Sequence, residues 1–176
     1  MCGIVGAVAE RNITAILLEG LKRLEYRGYD SAGVAVFTNN GTLERMRRNG
    51  KVAELEQALA GEPLAGRLGI AHTRWATHGA PCERNAHPHF SGSDLAVVHN
   101  GIIENYGLLK ERLAAKGYTF QSETDTEVLV KLIDSCYTGD PLRALQQALA
   151  KVRGSYALAV LRSEERRVGK ECLRLC

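Results

Sequence analysis

The sequence lacks several patterns that would indicate other classes of protein. Its five cysteines form no CxxC pair, so neither a zinc ribbon nor a disulfide scaffold is expected. No apolar run approaches the ~18 to 20 residues of a membrane span, and no basic start followed by an apolar run indicates a signal peptide. Neither a GxGxxG motif nor a Walker loop is present. These absences predict a cytoplasmic protein with reduced thiols and no membrane partner.

The net charge is also low, and most of it lies in the C-terminal stretch. Of the net charge of +3, residues 162–176 contribute +2, which leaves residues 1–161 nearly neutral. A nucleic-acid partner is not expected, because such binding needs a clustered basic face.

What is present fits one globular domain with a core, since 45% of the 176 residues are hydrophobic and 24% are charged. Apolar runs and turn signals predict strands over residues 4–9, 32–38, 42–48, 67–75, 95–101, 118–121 and 155–161. Helical spacing predicts helices from Asn12 to near Gly28 and over residues 51–60 and 103–116, one starting in SETDTE, and one over 141–152. Residues 26–33 and 77–94 are interpreted as loops. The pattern predicts an α+β fold.

The C-terminal stretch resembles a sequence of different origin from the rest. Residues 162–172, RSEERRVGKEC, are identical to one reading frame of a widely used DNA-sequencing adapter. We therefore expect a domain over residues 1–161 and a non-native tail over residues 162–176, with the domain truncated at its C-terminus. A charged, solvated helix is the alternative interpretation of this tail.

The most informative residue for function is Cys2. If Met1 is removed, Cys2 carries both a thiol and a free α-amine. A thiol is only partly ionised at neutral pH, whereas a terminal amine is partly neutral and can accept its proton. Cys2 could therefore be a nucleophile with its own base. It could also be a small buried residue that begins a strand.

Residues at the end of the fourth predicted strand and in the loop that follows it could recognise a substrate. Arg74 could grip a carboxylate bidentately, or form a surface salt bridge. Trp75 could be a pocket wall or part of the core. Thr77 and His78 could contact a ligand or only shape the loop.

Asn100, Gly101 and Asp125 are the remaining candidates. An Asn amide beside a Gly backbone N–H can supply two donors to a developing oxyanion, although Asn-Gly also forms ordinary turns. Asp125 could hold an ammonium group or stabilise the start of a helix.

The histidines are not expected to form a metal site. His87 and His89 form an HxH pair, but no third ligand stands at a suitable spacing. His72 and His99 lie in strand-like surroundings and are interpreted as hydrogen-bonded interior residues. Neither a metal nor another cofactor is predicted.

Six blocks of the chain together resemble a known family. CGIVG, LEYRGYDSAG, HTRWATHG, NAHPH, VHNGIIEN and SETDTE are similar to the glutaminase domain of the glutamine:fructose-6-phosphate aminotransferase (isomerizing) family, which makes glucosamine 6-phosphate. The resemblance runs from residue 1 to about residue 161. It implies an N-terminal-nucleophile hydrolase fold: a four-layer αββα sandwich of two antiparallel sheets, here incomplete at the C-terminus.

The resemblance also implies a role for each matching residue. Cys2 would attack the side-chain amide of L-glutamine, and Asn100 and Gly101 would stabilise the oxyanion. Arg74 would bind the substrate α-carboxylate and Asp125 its α-amine. The remaining matches are pocket residues and one supporting residue: Trp75, Thr77, His78 and Arg27. A glutamyl thioester would release ammonia and then be hydrolysed to glutamate.

The chain departs from this family in its length, because the two sugar-isomerase subdomains that bind fructose 6-phosphate are absent. The ammonia would serve amino-sugar synthesis only through those domains, in a whole enzyme that we expect to be a homo-oligomer. Two alternatives stay open. One is another N-terminal-Cys amidotransferase such as amidophosphoribosyltransferase, and the other is a non-catalytic amino-acid-binding module.

Overall fold

The structure is a computed structural model and describes residues 2–162. Its strands are β1 (Gly3–Val8), β2 (Ser31–Thr38), β3 (Leu43–Asn49), β4 (Gly66–Arg74), β5 (His89–Ser91), β6 (Leu95–Ile103) and β7 (Gly154–Arg162). Its helices are α1 (Thr14–Leu24), α2 (Val52–Gly61), α3 (Tyr106–Ala114), α4 (Asp125–Ser135) and α5 (Pro141–Leu149). Short 3-10 turns cover Glu25–Arg27 and Glu83–Asn85.

The strands form two antiparallel sheets. The first has the order β1-β4-β2-β3, and the second has the order β5-β6-β7. In β4, alternate residues face opposite sides because side chains in a strand have a period of two. Ala71 packs with α1 and α2, whereas Ile70 packs with Ala96 and Val98 of β6. His72 and Arg74 share the face of β4 that carries Ile70, so all three residues lie toward the second sheet.

The second sheet is covered by helices in the same way. Leu95, Val97 and Ile103 of β6 pack against a cluster from α3, α4 and α5. Ala96 and Val98 face the first sheet, so Asn100 follows them on that inner side. The layers are therefore helices, sheet, sheet and helices, and the predicted αββα sandwich is confirmed.

Local sequence signals explain where α4 begins. The Thr124 side chain accepts a hydrogen bond from the Glu127 backbone N–H at 3.2 Å. The Glu127 carboxylate accepts bonds from the backbone N–H groups of Gln121 and Ser122, in the segment before the helix. The Thr124 cap satisfies a donor that a helix start leaves open, and Asp125 is the first helical residue.

Several predicted boundaries are wrong. Residues 118–121 are not a strand, and the predicted loop over residues 77–94 contains β5. The predicted loop over residues 26–33 ends at Asp30, because β2 begins at Ser31. The helix predicted over residues 103–116 starts only at Tyr106, because β6 continues through Ile103 and pairs with Gly154 of β7. A long-range partner strand, which no local pattern reveals, causes this last difference.

The predicted tail mostly lies outside the described residues. Arg162 is described, and it continues β7 by pairing with Leu95 of β6. The boundary at residue 161 stays a prediction. Within residues 2–162, no helix has both the length and the apolar character that a bilayer crossing requires.

Candidate active site

Cys2 lies where the chain start meets the end of β4. Pairing of Gly3 with Thr73 brings the preceding residue, Cys2, beside the segment that follows β4. The Trp75 backbone N–H donates a hydrogen bond to Cys2 Sγ at 3.1 Å. Cys2 Sγ also lies 3.7 Å from the Trp75 carbonyl oxygen, so the backbone of Trp75 holds the sulfur in place. Cys2 is half-buried, so its sulfur remains open to a ligand.

A cavity of about 260 Å³ opens at this sulfur. Six of the sequence-predicted residues line it: Cys2, Arg74, Trp75, Thr77, Gly101 and Asp125. They come from the chain start, the end of β4 and its following loop, β6, and the start of α4. A larger depression of about 410 Å³ beside β3 contains none of these residues.

The Asn100 side chain contacts the backbone of Cys2. Its Nδ2 donates to the Cys2 carbonyl oxygen at 3.2 Å, and its Oδ1 lies 2.7 Å from His72 Nε2. The predicted Asn-Gly pair is not a turn after the strand, because both residues lie inside β6 and pair with β7. The amide is thus held between the two sheets, next to Cys2.

Gly101 can only be glycine at this point in β6. Its φ is +132°, and a Cβ built there would lie 2.0 Å from the Ser155 carbonyl oxygen. Residues other than glycine rarely adopt this φ value, and the Ser155 backbone cannot move far enough to make room for a Cβ. The glycine therefore leaves its backbone accessible at the cavity wall.

Arg74 is a buried cation at the cavity, with 4% of its surface exposed. Its Nη2 donates to the His78 carbonyl oxygen, which ties the loop after β4 to the guanidinium. Its Nη1 lies 3.9 Å from Asp30 Oδ1 and makes no hydrogen bond to the described residues. A buried donor without a hydrogen bond is costly, so this atom is suited to an anionic ligand.

Asp125 is the matching buried anion, also 4% exposed. One of its oxygens, Oδ2, accepts a hydrogen bond from the Ile103 backbone N–H at 2.9 Å. The same oxygen lies 3.9 Å from Nδ1 of both His78 and His99. Asp125 is therefore more than a helix cap, because the Thr124 side chain already serves that purpose.

Trp75 and His78 complete the loop side of the site. Trp75 is 55% exposed, so of its two interpretations the structure favours a pocket wall over core. His78 is absent from the cavity lining but its ring packs edge-on against Tyr106 at 4.9 Å between centroids. Arg27 falls in the 3-10 turn before Gly28, and its side chain lies outside the described residues.

Asp30 is a site residue that sequence reasoning missed. It accepts a hydrogen bond from the Ala76 backbone N–H and also lies beside Arg74. It thereby anchors the loop that carries Trp75 and Thr77. Its place in the YRGYDSAG segment was the available signal, but only the pairing of Ser31 with Arg74 reveals the contact.

Four histidines are buried in the described chain, and two of them, His87 and His99, line the cavity. Burial lowers the pKa of His72 to about 3, and burial also lowers the pKa values of His87 and His89 well below the usual 6.5. Burial lowers the pKa of His99 too, although the nearby Asp125 carboxylate opposes this shift. Within residues 2–162, no group of three or more His, Cys, Asp or Glu side chains is arranged to hold a metal ion.

The chain resembles proteins of known activity in sequence. The profile of the glutamine amidotransferase domain family matches residues 72–170. Glutamine–fructose-6-phosphate aminotransferase [isomerizing] from Pseudomonas syringae pv. tomato is 72% identical over 167 residues, which is 94% of this chain and 27% of that protein. The Pseudomonas putida protein of the same name is 66% identical over 167 residues, which again is 94% of this chain and 27% of that protein. The chain thus spans about a quarter of the length of these relatives.

Solved structures give the same picture of the fold. The glutamine phosphoribosylpyrophosphate amidotransferase from Bacillus subtilis, in complex with ADP and GMP, superposes with a TM-score of 0.79 at 27% identity. The match covers 93% of this chain and 35% of that one.

Proposed function

Because the chain belongs to the family of glutamine amidotransferase domains, we propose that it hydrolyses L-glutamine to glutamate and ammonia through a thioester on Cys2. One observation carries the proposal: the Cys2 thiol shares a 260 Å³ cavity with a buried cation, Arg74, and a buried anion, Asp125. A nucleophile between two opposite charges suits an α-amino acid whose side chain bears the reactive group.

The charged pair orients the substrate. The free Nη1 edge of Arg74 binds the α-carboxylate, and Asp125 binds the α-ammonium group. The carboxylate of a bound zwitterion supplies the hydrogen-bond acceptor that Nη1 otherwise lacks. Trp75 and Thr77 close the same wall, so the side-chain amide extends toward Cys2 Sγ.

The thiol is the attacking group and the terminal amine is its base. With Met1 removed, the amine takes the thiol proton while Sγ forms a bond to the amide carbon. The carbonyl oxygen becomes an oxyanion that the Asn100 Nδ2 and the Gly101 backbone N–H stabilise. The amine then returns the proton to the leaving nitrogen, and ammonia departs. Water attacks the thioester, and glutamate leaves as the thiol is restored.

The acceptor of the ammonia belongs to a longer protein. The relatives' names indicate fructose 6-phosphate, and this chain spans only 27% of their length. A cytoplasmic location and a homo-oligomeric whole protein belong to the same proposal. Identity of 72% to the aminotransferase, against 27% to the phosphoribosylpyrophosphate amidotransferase, favours the amino-sugar acceptor over the second candidate.

Covalent labelling tests the nucleophile. We expect 6-diazo-5-oxo-L-norleucine, a glutamine-like electrophile, to modify Cys2 of the Met1-processed chain, as read by mass spectrometry of its peptides. The half-buried Cys82 is the internal control and should stay unmodified. The chain that retains Met1 is the matched control for the base, and should not turn over glutamine because its amine is in a peptide bond. Modification of Cys82 instead, or equal turnover with Met1 retained, would contradict this mechanism.

A non-catalytic amino-acid-binding module would behave differently. It would bind glutamine and lose binding when Arg74 is changed, yet it would neither release ammonia nor accumulate a thioester. Ammonia release by the processed chain therefore separates the two possibilities.

A further inference from the structure

His72 connects the two sheets at the site. It lies in β4 between Ile4 of β1 and Gly33 of β2, and its ring is fully buried. Its Nε2 reaches across to Asn100 Oδ1 in β6, at 2.7 Å. His72 does not line the cavity, and Asn100 is the candidate site residue to which its side chain is hydrogen-bonded.

The chemistry of this contact defines which atom donates. An amide oxygen can only accept a hydrogen bond, so His72 Nε2 must carry the proton. Burial keeps the ring neutral, with a pKa lowered to about 3, so Nδ1 is then bare. Consistently, Nδ1 has no hydrogen-bond partner among the described residues. The ring is therefore held as the Nε2–H tautomer.

The Cys2 carbonyl oxygen can only accept a hydrogen bond, so it independently requires the Asn100 NH2 group to face Cys2 and Oδ1 to face His72. With Oδ1 turned to His72, the NH2 group faces Cys2, where one hydrogen already bonds the Cys2 carbonyl oxygen at 3.2 Å. If the amide flipped, its NH2 group would meet the Nε2–H donor and its oxygen would meet the Cys2 carbonyl oxygen. Both contacts would then be repulsive.

We propose that His72 is a positioning residue that holds the Asn100 amide with its N–H groups toward the reacting centre. The expected effect on kinetics rests on the proposed function, whereas the orientation of the amide does not. An oxyanion forms in the transition state and not on substrate binding, so misplacing this donor lowers kcat and leaves KM nearly unchanged.

Two substitutions at His72 separate positioning from packing. His72→Leu removes the donor, and we expect kcat for glutamine hydrolysis to fall by about 10- to 100-fold, short of the ~10²- to 10³-fold cost of deleting an oxyanion donor. His72→Gln places an amide N–H near the former Nε2 position, and should restore kcat to within about 3-fold. Ser91→Ala is the control, because Ser91 is also a buried polar residue but donates its hydrogen bond to Asp134, away from the cavity. Its kcat should stay unchanged.

A double-mutant cycle with Asn100→Ala provides a readout that a structural role would not move. If His72 acts through Asn100, His72→Leu should have almost no further effect on kcat in the Asn100→Ala background. Alkylation of Cys2 by iodoacetamide forms no oxyanion, so its rate should be the same in every variant. Additive losses, or equal slowing of alkylation, would overturn the proposal.

Two measurements on the folded chain do not need turnover. Nitrogen NMR of the imidazole should show a protonated Nε2 and a bare Nδ1 for His72. A crystal structure of His72→Leu should show the Asn100 amide rotated away from the Cys2 carbonyl oxygen. The opposite tautomer, or an unmoved amide, would refute the positioning role. Absence of glutamine hydrolysis by the unsubstituted chain would instead contradict the proposed function.

Discussion

At the scale of the residue, the site depends on a small number of buried charges. Arg74 and Asp125 are each 4% exposed, and a buried charge is tolerated only when groups around it compensate for lost water. The His78 carbonyl oxygen does so for Arg74, and the Ile103 backbone N–H does so for Asp125. Each residue nevertheless keeps an accessible face in the cavity, which is what a binding site for a zwitterion requires.

Substituting Arg74 by Lys should weaken glutamine binding selectively. A lysine ammonium cannot present two parallel donors to a carboxylate, so we expect KM to rise by about 10- to 100-fold with kcat changed much less. Arg67→Lys is the control, because Arg67 lies on the surface and pairs only with Glu10 in the described part of the chain. Steady-state kinetics measure both. An unchanged KM for Arg74→Lys would remove Arg74 from the substrate clamp.

At the scale of the element, helix α4 presents Asp125, which with Arg74 forms the proposed substrate clamp. Its start is defined by the Thr124 side chain, which contacts the Glu127 backbone N–H, the Ser122 hydroxyl and His89 Nε2. Asp125 follows directly, so the capping geometry determines where its carboxylate lies. Local sequence predicted this helix start well, because capping depends on neighbours within three residues.

Thr124→Ala should therefore affect both stability and binding. We expect a loss of about 1 to 2 kcal/mol in the free energy of unfolding, together with a higher KM for glutamine, because the first turn that carries Asp125 loosens. Asp140→Ala offers a matched comparison, since Asp140 caps α5 through the Leu142 and Arg143 backbone N–H groups. It should lose about 1 kcal/mol and leave KM unchanged. Urea denaturation and kinetics give the two quantities, and a shifted KM in Asp140→Ala would argue against a local effect.

The element boundaries that failed share a physical cause. Asn100 and Gly101 resemble a turn locally, yet β7 pairs with them and extends the strand. The three-residue strand β5 exists only because β6 supplies its partners. Conversely, residues 118–121 have strand-like side chains but pair with no strand in the described chain. Strand formation depends on a partner distant in sequence, which composition does not reveal.

At the scale of the whole molecule, the layered packing buries a chain of neutral histidines. The His72 and His87 rings lie 4.3 Å apart between centroids, and those of His87 and His89 lie 5.0 Å apart. Charging one of them inside the fold would bury a cation away from water, which is the main reason that their pKa values are lowered. The folded state therefore resists protonation that the unfolded chain accepts freely.

This difference predicts a loss of stability in weak acid. Burial lowers the pKa values of His72, His87 and His89 below 6.5, so the unfolded chain binds more protons than the folded one below that pH. Stability should be full above about pH 6.5 and fall below it, by up to about 1.4 kcal/mol per pH unit for each histidine. Urea midpoints between pH 7.5 and 5 measure this.

His89→Gln is the control for the acid effect, because glutamine does not titrate in this range. The variant should show a shallower decrease in stability with falling pH than the unsubstituted chain. A flat profile between pH 7.5 and 5 for the unsubstituted chain would show that the buried histidines accept protons in the folded state.

The sequence by itself determined the chemistry of the site and the class of fold. The thiol of Cys2, the guanidinium of Arg74 and the carboxylate of Asp125 are properties of single residues, and apolar periodicity is a property of short segments. Tertiary structure alone decided how these groups meet. Cys2 and Asn100 are 98 positions apart, Asp30 reaches Arg74 through strand pairing, and His72 orients Asn100 across two sheets. The reason is physical: distance, burial and hydrogen-bond direction depend on the register and packing of strands that are remote in the chain.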